Sequence, residues 1–264
     1  MTAALVAAGA MLAGAGPATA QQPGKNGART YVFESYFDAP CLKDSIQDFD
    51  AAGGLTWARG GKTMAVTAVT TDGSNAIEAP QLYIVGAAPC TAPRRVGPVD
   101  AGSTASFGPD GYQVAVQRGG RILILSVATG KVVRDLAKGT DPSWDPKGTS
   151  IAYVTAEGIR LQAPSSTTSR LWKKGALKAP DWSPDGSKIG YVEGGKIKYA
   201  TSGNGSSVVT TPITALDFSW SPDGKQVLFT RPDHMYVVMA DLNGYIRERW
   251  GSGGWAGYAA WQPV

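Results

Sequence analysis

A single histidine, His234 in Arg231-Pro232-Asp233-His234, sets the first limit on the chemistry open to this chain. Metal sites that need two imidazoles are excluded, and a Ser-His-Asp triad would have to recruit His234. No Gly-x-Ser-x-Gly elbow accompanies it, so His234 reads as a solvated residue of a hairpin loop. Carboxylates offer more. Asp-Gly pairs recur, but Pro-Asp-Gly brings one carboxylate per loop, whereas calcium takes about six to eight oxygens from several ligands. The carboxylate pair of a glycan or peptide hydrolase, about 5 to 10 Å apart, would have to converge from distant segments. Cys41 and Cys90 are the only cysteines. In an exported protein an even count favours a disulfide, and closing a loop of this length would add about 4 kcal/mol in the chain-entropy model. The other reading is two buried, inert thiols.

The elements that must position these groups are set by a repeat. Phe107-Gly108-Pro109-Asp110-Gly111, Trp144-Asp145-Pro146-Lys147-Gly148, Trp182-Ser183-Pro184-Asp185-Gly186 and Trp220-Ser221-Pro222-Asp223-Gly224 follow one another at intervals of 37, 38 and 38 residues. Looser copies stand at Trp57-Ala58-Arg59-Gly60-Gly61 and Trp261-Gln262-Pro263. A fixed period of this size marks repeated supersecondary units that bury their faces against neighbours. The Pro-Asp-Gly corner is turn chemistry: proline presets φ, aspartate bonds its own backbone and glycine takes φ > 0. Beyond each corner come short apolar, β-branched runs such as Val114-Ala115-Val116 and Ile122-Leu123-Ile124-Leu125, then a weaker one such as Val132-Val133. Four short strands per unit of about 40 residues describe a β-propeller blade, a form that hides most strand edges. Trp57, Phe107, Trp144, Trp182, Trp220 and Trp261 are expected to wedge between sheets, where an aromatic body covers much area and an indole N–H can find a carbonyl.

The phrases Pro180-Asp181-Trp182-Ser183-Pro184-Asp185-Gly186-Ser187-Lys188-Ile189 and Phe218-Ser219-Trp220-Ser221-Pro222-Asp223-Gly224-Lys225-Gln226-Val227 resemble the repeats of TolB-like propellers, from about residue 57 to the end. The resemblance is specific for fold and not for function. It implies an all-β propeller of about six four-stranded blades. Trp261 has almost no chain after it, so the strand expected at Thr30-Tyr31-Val32-Phe33-Glu34-Ser35-Tyr36 would complete its blade, both termini sharing one sheet. Residues 71–80 read as an enlarged loop. TolB proteins work in the cell envelope with a lipoprotein partner, but their additional N-terminal α/β domain has no counterpart in this sequence.

Residues 1–20 carry no charge and end in Ala18-Thr19-Ala20, the pattern of an export signal, followed by a flexible segment 21–29 and the propeller at 30–264. No other apolar run is long enough to span a bilayer. A formal charge of +4 with Lys and Arg scattered among the blades reads as a solvated surface rather than a nucleic-acid site. If the Pro-Asp-Gly corners join the first and second strands, the loops on the opposite face carry Glu78, Arg118, Asp141, Lys178, Asp217, Arg231, Asp233 and Trp255. That mixed-sign set suits a protein or peptide partner. The expectation is therefore a monomeric, secreted or periplasmic, non-enzymatic interaction module without cofactor or metal. The competing expectation is a hydrolase or lyase using carboxylates at the ring's mouth.

Overall fold

The computed structural model describes residues 26–33, 36–38, 49–70, 79–86, 91–233, 236–250 and 256–263. The chain begins with β1 (Asn26–Phe33) and β2 (Tyr36–Asp38). Blade 1 follows as β3 (Phe49–Trp57), β4 (Thr63–Thr70), β5 (Gln81–Gly86) and β6 (Arg94–Pro98), and blade 2 as β7 (Ser106–Phe107), β8 (Gln113–Arg118), β9 (Arg121–Ser126) and β10 (Val132–Lys138). Blade 3 is β11 (Thr140–Trp144), β12 (Ile151–Thr155), β13 (Gly158–Gln162) and β14 (Arg170–Lys174). Blade 4 is β15 (Leu177–Trp182), β16 (Lys188–Glu193), β17 (Lys196–Thr201) and β18 (Val209–Thr214). Blade 5 is β19 (Asp217–Trp220), β20 (Gln226–Thr230), β21 (Val237–Asp241) and β22 (Ile246–Trp250), and β23 (Ala256–Pro263) ends the chain.

Each of the five blades is an antiparallel sheet with its strands in chain order. The expectation of six four-stranded blades needs one correction: the sixth sheet has three strands among the described residues, in the order β2-β1-β23. Its inner strand comes from the C-terminus and its outer strands from the N-terminus, with Arg29 opposite Trp261 and Tyr31 opposite Ala259. β1 starts at Asn26, ahead of the expected Thr30. The first strands β3, β7, β11, β15, β19 and β23 each contact the next, and β23 contacts β3, so the ring closes. The enlarged loop at 71–78, both cysteines and the signal segment lie outside the described residues. No described helix is long and apolar enough to cross a membrane.

The core is a set of layers between blades. Ala65, Leu82, Phe107, Val114 and Val116 form the layer between blades 1 and 2, and Ala115, Ile124, Trp144, Ile151 and Tyr153 the layer between blades 2 and 3. The leading aromatic of each first strand sits in such a layer. Trp57, Phe107, Trp144, Trp220 and Trp261 are buried, and Trp182 is half-buried. Room for the wedge comes from a small residue eight positions after the aromatic of the preceding blade: Ala65, Ala115, Ala152 and Gly190. Gly190 shows how tight the fit is, because a Cβ there would lie 2.5 Å from Phe218 Cζ and 3.1 Å from Trp220 Nε1.

Gly190→Ala should therefore overpack the layer between blades 4 and 5 and cost about 1–3 kcal/mol, read as a lower midpoint in chemical denaturation; an unchanged midpoint would count against the wedge. Deleting residues 259–264 should be worse. Losing a buried tryptophan alone costs about 3–5 kcal/mol, and at roughly 2–4 °C per kcal/mol the melting midpoint should fall by roughly 10 °C or more. A shift within a degree or two would refute the closing role of β23.

Candidate binding face at the channel mouth

The two faces of the ring differ in chemistry. On the corner face each turn satisfies itself. Ser183 Oγ donates to Asp185 Oδ1 at 2.7 Å and accepts from the Lys188 N–H at 2.9 Å, while the Ser187 N–H donates to Asp185 Oδ1 at 3.0 Å. Ser221, Asp223, Lys225 and Gln226 repeat the pattern. Burial would raise the Asp185 carboxyl, but these donors outweigh it and pull the group down to about 2. In Trp144-Asp145-Pro146-Lys147-Gly148 one buried aspartate does both jobs: Asp145 accepts from the Lys147 and Thr149 N–H groups and from the Thr149 hydroxyl. These carboxylates are occupied by turn geometry, as the sequence implied.

On the opposite side a cavity of about 120 Å³ runs along the ring axis, lined by residues of all six first strands. The position just before each aromatic faces it: Thr56, Ser106, Ser143, Asp181, Ser219 and Ala260. Five are hydroxyl-bearing or small, and one is a carboxylate. Asp181 Oδ2 accepts the Trp220 N–H at 3.0 Å from blade 5, and Ser143 Oγ of blade 3 donates to Oδ1 at 3.5 Å. At two junctions the backbone carbonyl at this position holds the indole, Trp182 Nε1 donating to Ser143 O and Trp220 Nε1 to Asp181 O, both at 3.2 Å, whereas the buried Trp144 indole N–H meets no acceptor among the described residues. Burial pushes the Asp181 carboxyl up to about 7, against the lowering pull of the Trp220 N–H, the Ser143 hydroxyl and the Trp182 N–H.

Two more carboxylates stand in the cavity wall, Asp141 and Asp217. Burial raises the Asp141 carboxyl too, opposed by the Ala179 N–H, the nearby Lys178 ammonium and the Thr140 hydroxyl. Asp141 and Ala179, three residues before their tryptophans, hold φ of 50° and 45°. Left-handed backbone of this kind costs a non-glycine residue on the order of 1–3 kcal/mol and is drawn to functional sites. Asp217 Oδ1 accepts the Thr230 N–H at 3.2 Å.

The predicted face is thus only partly one site. Asp141 and Asp217 line the cavity with Asp181, and the Lys178 ammonium stands near Asp141, so carboxyl groups outnumber cations there. Arg231 lies outward, paired with Asp233 at 3.0 Å on the rim of a second cavity between blades 4 and 5. Arg118 is tied into the junction of blades 1 and 2, its Nε donating to Pro98 O at 2.6 Å. Glu78, His234 and Trp255 lie outside the described residues. Asp181 was missed by reasoning from sequence because it reads as part of the repeated phrase; the available signal was a carboxylate where sister blades carry Thr56, Ser106, Ser143, Ser219 and Ala260. Among the described residues no group of three His, Cys, Asp or Glu side chains is placed to hold a metal ion.

No protein-family profile matches the chain, and no curated protein sequence does. Solved structures do match. A chain of a nidogen/laminin complex superposes with TM-score 0.67 at 11% identity, covering 89% of this chain and 97% of that one. A putative TolB from Agrobacterium tumefaciens gives 0.58 at 19% identity, covering 89% and 98%, and a chain of Kuenenia stuttgartiensis hydrazine synthase gives 0.52 at 13%, covering 78% and 88%. Identities this low establish the architecture alone: the protein is a β-propeller.

The Asp181 clasp has a pH signature. A carboxyl near 7 in the folded ring and near 3.8 in the unfolded chain keeps its proton longer when folded, so its contribution is fully present below about pH 4 and is lost as pH rises towards 7. The melting midpoint of the native protein minus that of Asp181→Asn should fall between pH 4 and 7 and stay level above. A difference that is flat or rises over that window would contradict the assignment.

Proposed function

We propose that this chain is an exported, non-enzymatic, TolB-like interaction propeller that receives a protein or peptide partner over the channel mouth. The observation that carries the reading is the placement of Asp141 and Asp217 in the wall of the axial cavity, with the Lys178 ammonium near Asp141, on the face away from the self-satisfied corners. An acidic, partly desolvated mouth fits a partner segment that offers basic groups or N–H donors, and such a recess can concentrate binding energy in a few residues. The propellers of a nidogen/laminin complex and of a putative TolB support the reading by architecture. The uncharged segment 1–20 supports export. The raised Asp181 and Asp141 carboxyls would favour the hydrolase or lyase reading, since perturbed groups cluster at catalytic sites. Asp181, however, is engaged with backbone and side chain of both neighbouring blades, which is the signature of a structural clasp.

Affinity capture from the envelope fraction of the source cell, with mass spectrometry, separates the two. The native protein should retain a partner that a Lys178→Ala, Asp141→Asn, Asp217→Asn variant loses at least tenfold, while the variant keeps a cooperative melt. Turnover of a glycan or peptide library by the purified protein, abolished in Asp141→Asn or Asp217→Asn, would overturn the non-enzymatic reading.

A further inference from the structure

At the outer rims three consecutive junctions share a feature that the next one lacks. The fourth strands β6, β10 and β14 carry one-residue bulges at Val96, Leu136 and Trp172, and β10 has a further one at Val133. Two residues before Val96, Leu136 and Trp172 stands an arginine: Arg94, Arg134 and Arg170. Each guanidinium reaches across to the turn between the third and fourth strands of the next blade. Arg94 donates to Val127 O, Arg134 to Ser166 O at 2.9 Å and Arg170 to Gly203 O at 2.8 Å. Charged donors on carbonyls are among the stronger hydrogen bonds, so the junctions between blades 1 and 2, 2 and 3, and 3 and 4 are stitched at their edges.

The junction of blades 4 and 5 has the same backbone apposition without the stitch. At three of these four junctions, all but that of blades 2 and 3, a turn glycine lies against the neighbouring edge strand: a Cβ on Gly130 would meet Val96 O at 2.6 Å, on Gly205 Trp172 O at 2.9 Å, and on Gly244 Pro212 Cγ at 2.6 Å. Counting back two residues from Val96 and Trp172 gives Arg94 and Arg170; from Pro212 it gives Thr210. The bulge is also wider here, with Lys198 opposite Thr210 and Lys196 opposite Thr214. Thr211 Oγ1 on Ile197 O at 2.8 Å and Lys196 Nζ on Pro212 O at 3.0 Å hold it open. A cavity of about 420 Å³ follows along the junction, walled by Ile213, Phe229, Val238 and Ile246 and rimmed by the Arg231–Asp233 pair. Its volume falls within the range of ligand pockets, about 300–1,000 Å³.

We propose that this junction docks an extended segment of a partner protein that carries an arginine next to an apolar residue. The guanidinium takes the place that Arg94, Arg134 and Arg170 take at the other three junctions, on the carbonyls of the turn following β21, and the apolar neighbour enters the groove beside Ile246. The site is separate from the channel mouth and does not depend on it.

The probe is a fluorescein-labelled peptide with the sequence of residues 168–174, Thr-Ser-Arg-Leu-Trp-Lys-Lys, titrated into the whole chain and followed by anisotropy. Saturable binding is expected, weakened at least tenfold when the peptide's arginine is replaced by alanine. Thr210→Arg in the protein should weaken binding by a similar factor while leaving the melting midpoint equal or higher, because the chain then supplies its own stitch. Ile246→Lys should weaken it by repelling the guanidinium, whereas the variant carrying Asp141→Asn and Asp217→Asn should bind as the native protein does. Equal binding of the alanine peptide, undiminished binding by Thr210→Arg, binding lost only with the channel-mouth changes, or occupation by a small apolar dye but no peptide would each overturn the proposal.

Discussion

The ring rests on one contact repeated between neighbours: the aromatics Phe107, Trp144, Trp182 and Trp220, each near the end of a first strand, enter the space above a small residue of the preceding blade, and before Trp261 the buried Leu228 stands in that place. Where the aromatic is Trp182 or Trp220, its indole N–H also closes on a backbone carbonyl of that blade, so burial and polar satisfaction are achieved by one side chain. Stability in such arrays is approximately a sum of unit and neighbour terms, but closure adds a condition that open solenoids lack. Every blade must both give and receive a wedge, and the last to give is Trp261, on a strand whose own sheet is completed from the other end of the chain.

This dependence explains what was legible in the sequence. The wedge residues, the corner and the short apolar strands are local signals, each with a reason inside five or ten residues, so their period could be read directly. The shared blade was legible by subtraction, since Trp261 has too little chain after it to build a sheet. Contacts between blades were not. Asp181 with Trp220, Arg134 with Ser166 and Arg170 with Gly203 join residues 39, 32 and 33 apart, and no local pattern marks them. Arg118 illustrates the same limit in reverse. Its place on the predicted face was inferable from loop topology, but a backbone carbonyl at Pro98 claims the Nε.

Departures from the repeat fall in two places, and each has a distinct cost. At the rim Thr210 and the wide bulge of β18 leave an edge without the arginine stitch, a loss of a favourable interaction. At the axis the cost is positive: Asp141 and Ala179 hold left-handed backbone, and Asp181 buries a carboxyl. A closed ring tolerates both because the remaining junctions hold the geometry.

The axial departure is the more telling, because the fold supplies a cheaper solution to the same problem. Ser106 stands in blade 2 where Asp181 stands in blade 4, and its hydroxyl accepts the Trp144 N–H of the next blade at 2.9 Å. Asp181 makes the equivalent bond to Trp220 at 3.0 Å, so the backbone requirement is met equally well by a neutral side chain. A serine would avoid the desolvation of a carboxylate, which is among the most expensive groups to bury. Interblade bonding therefore does not account for the charge. What the carboxyl adds is a titratable group beneath Asp141 and Asp217, neutral below about pH 7 and negative above it. A carboxyl where serine would serve the backbone equally well thus stands in the axial cavity with Asp141 and Asp217, so that the charge of the mouth depends on pH while the bonds that join the blades need no charge at all.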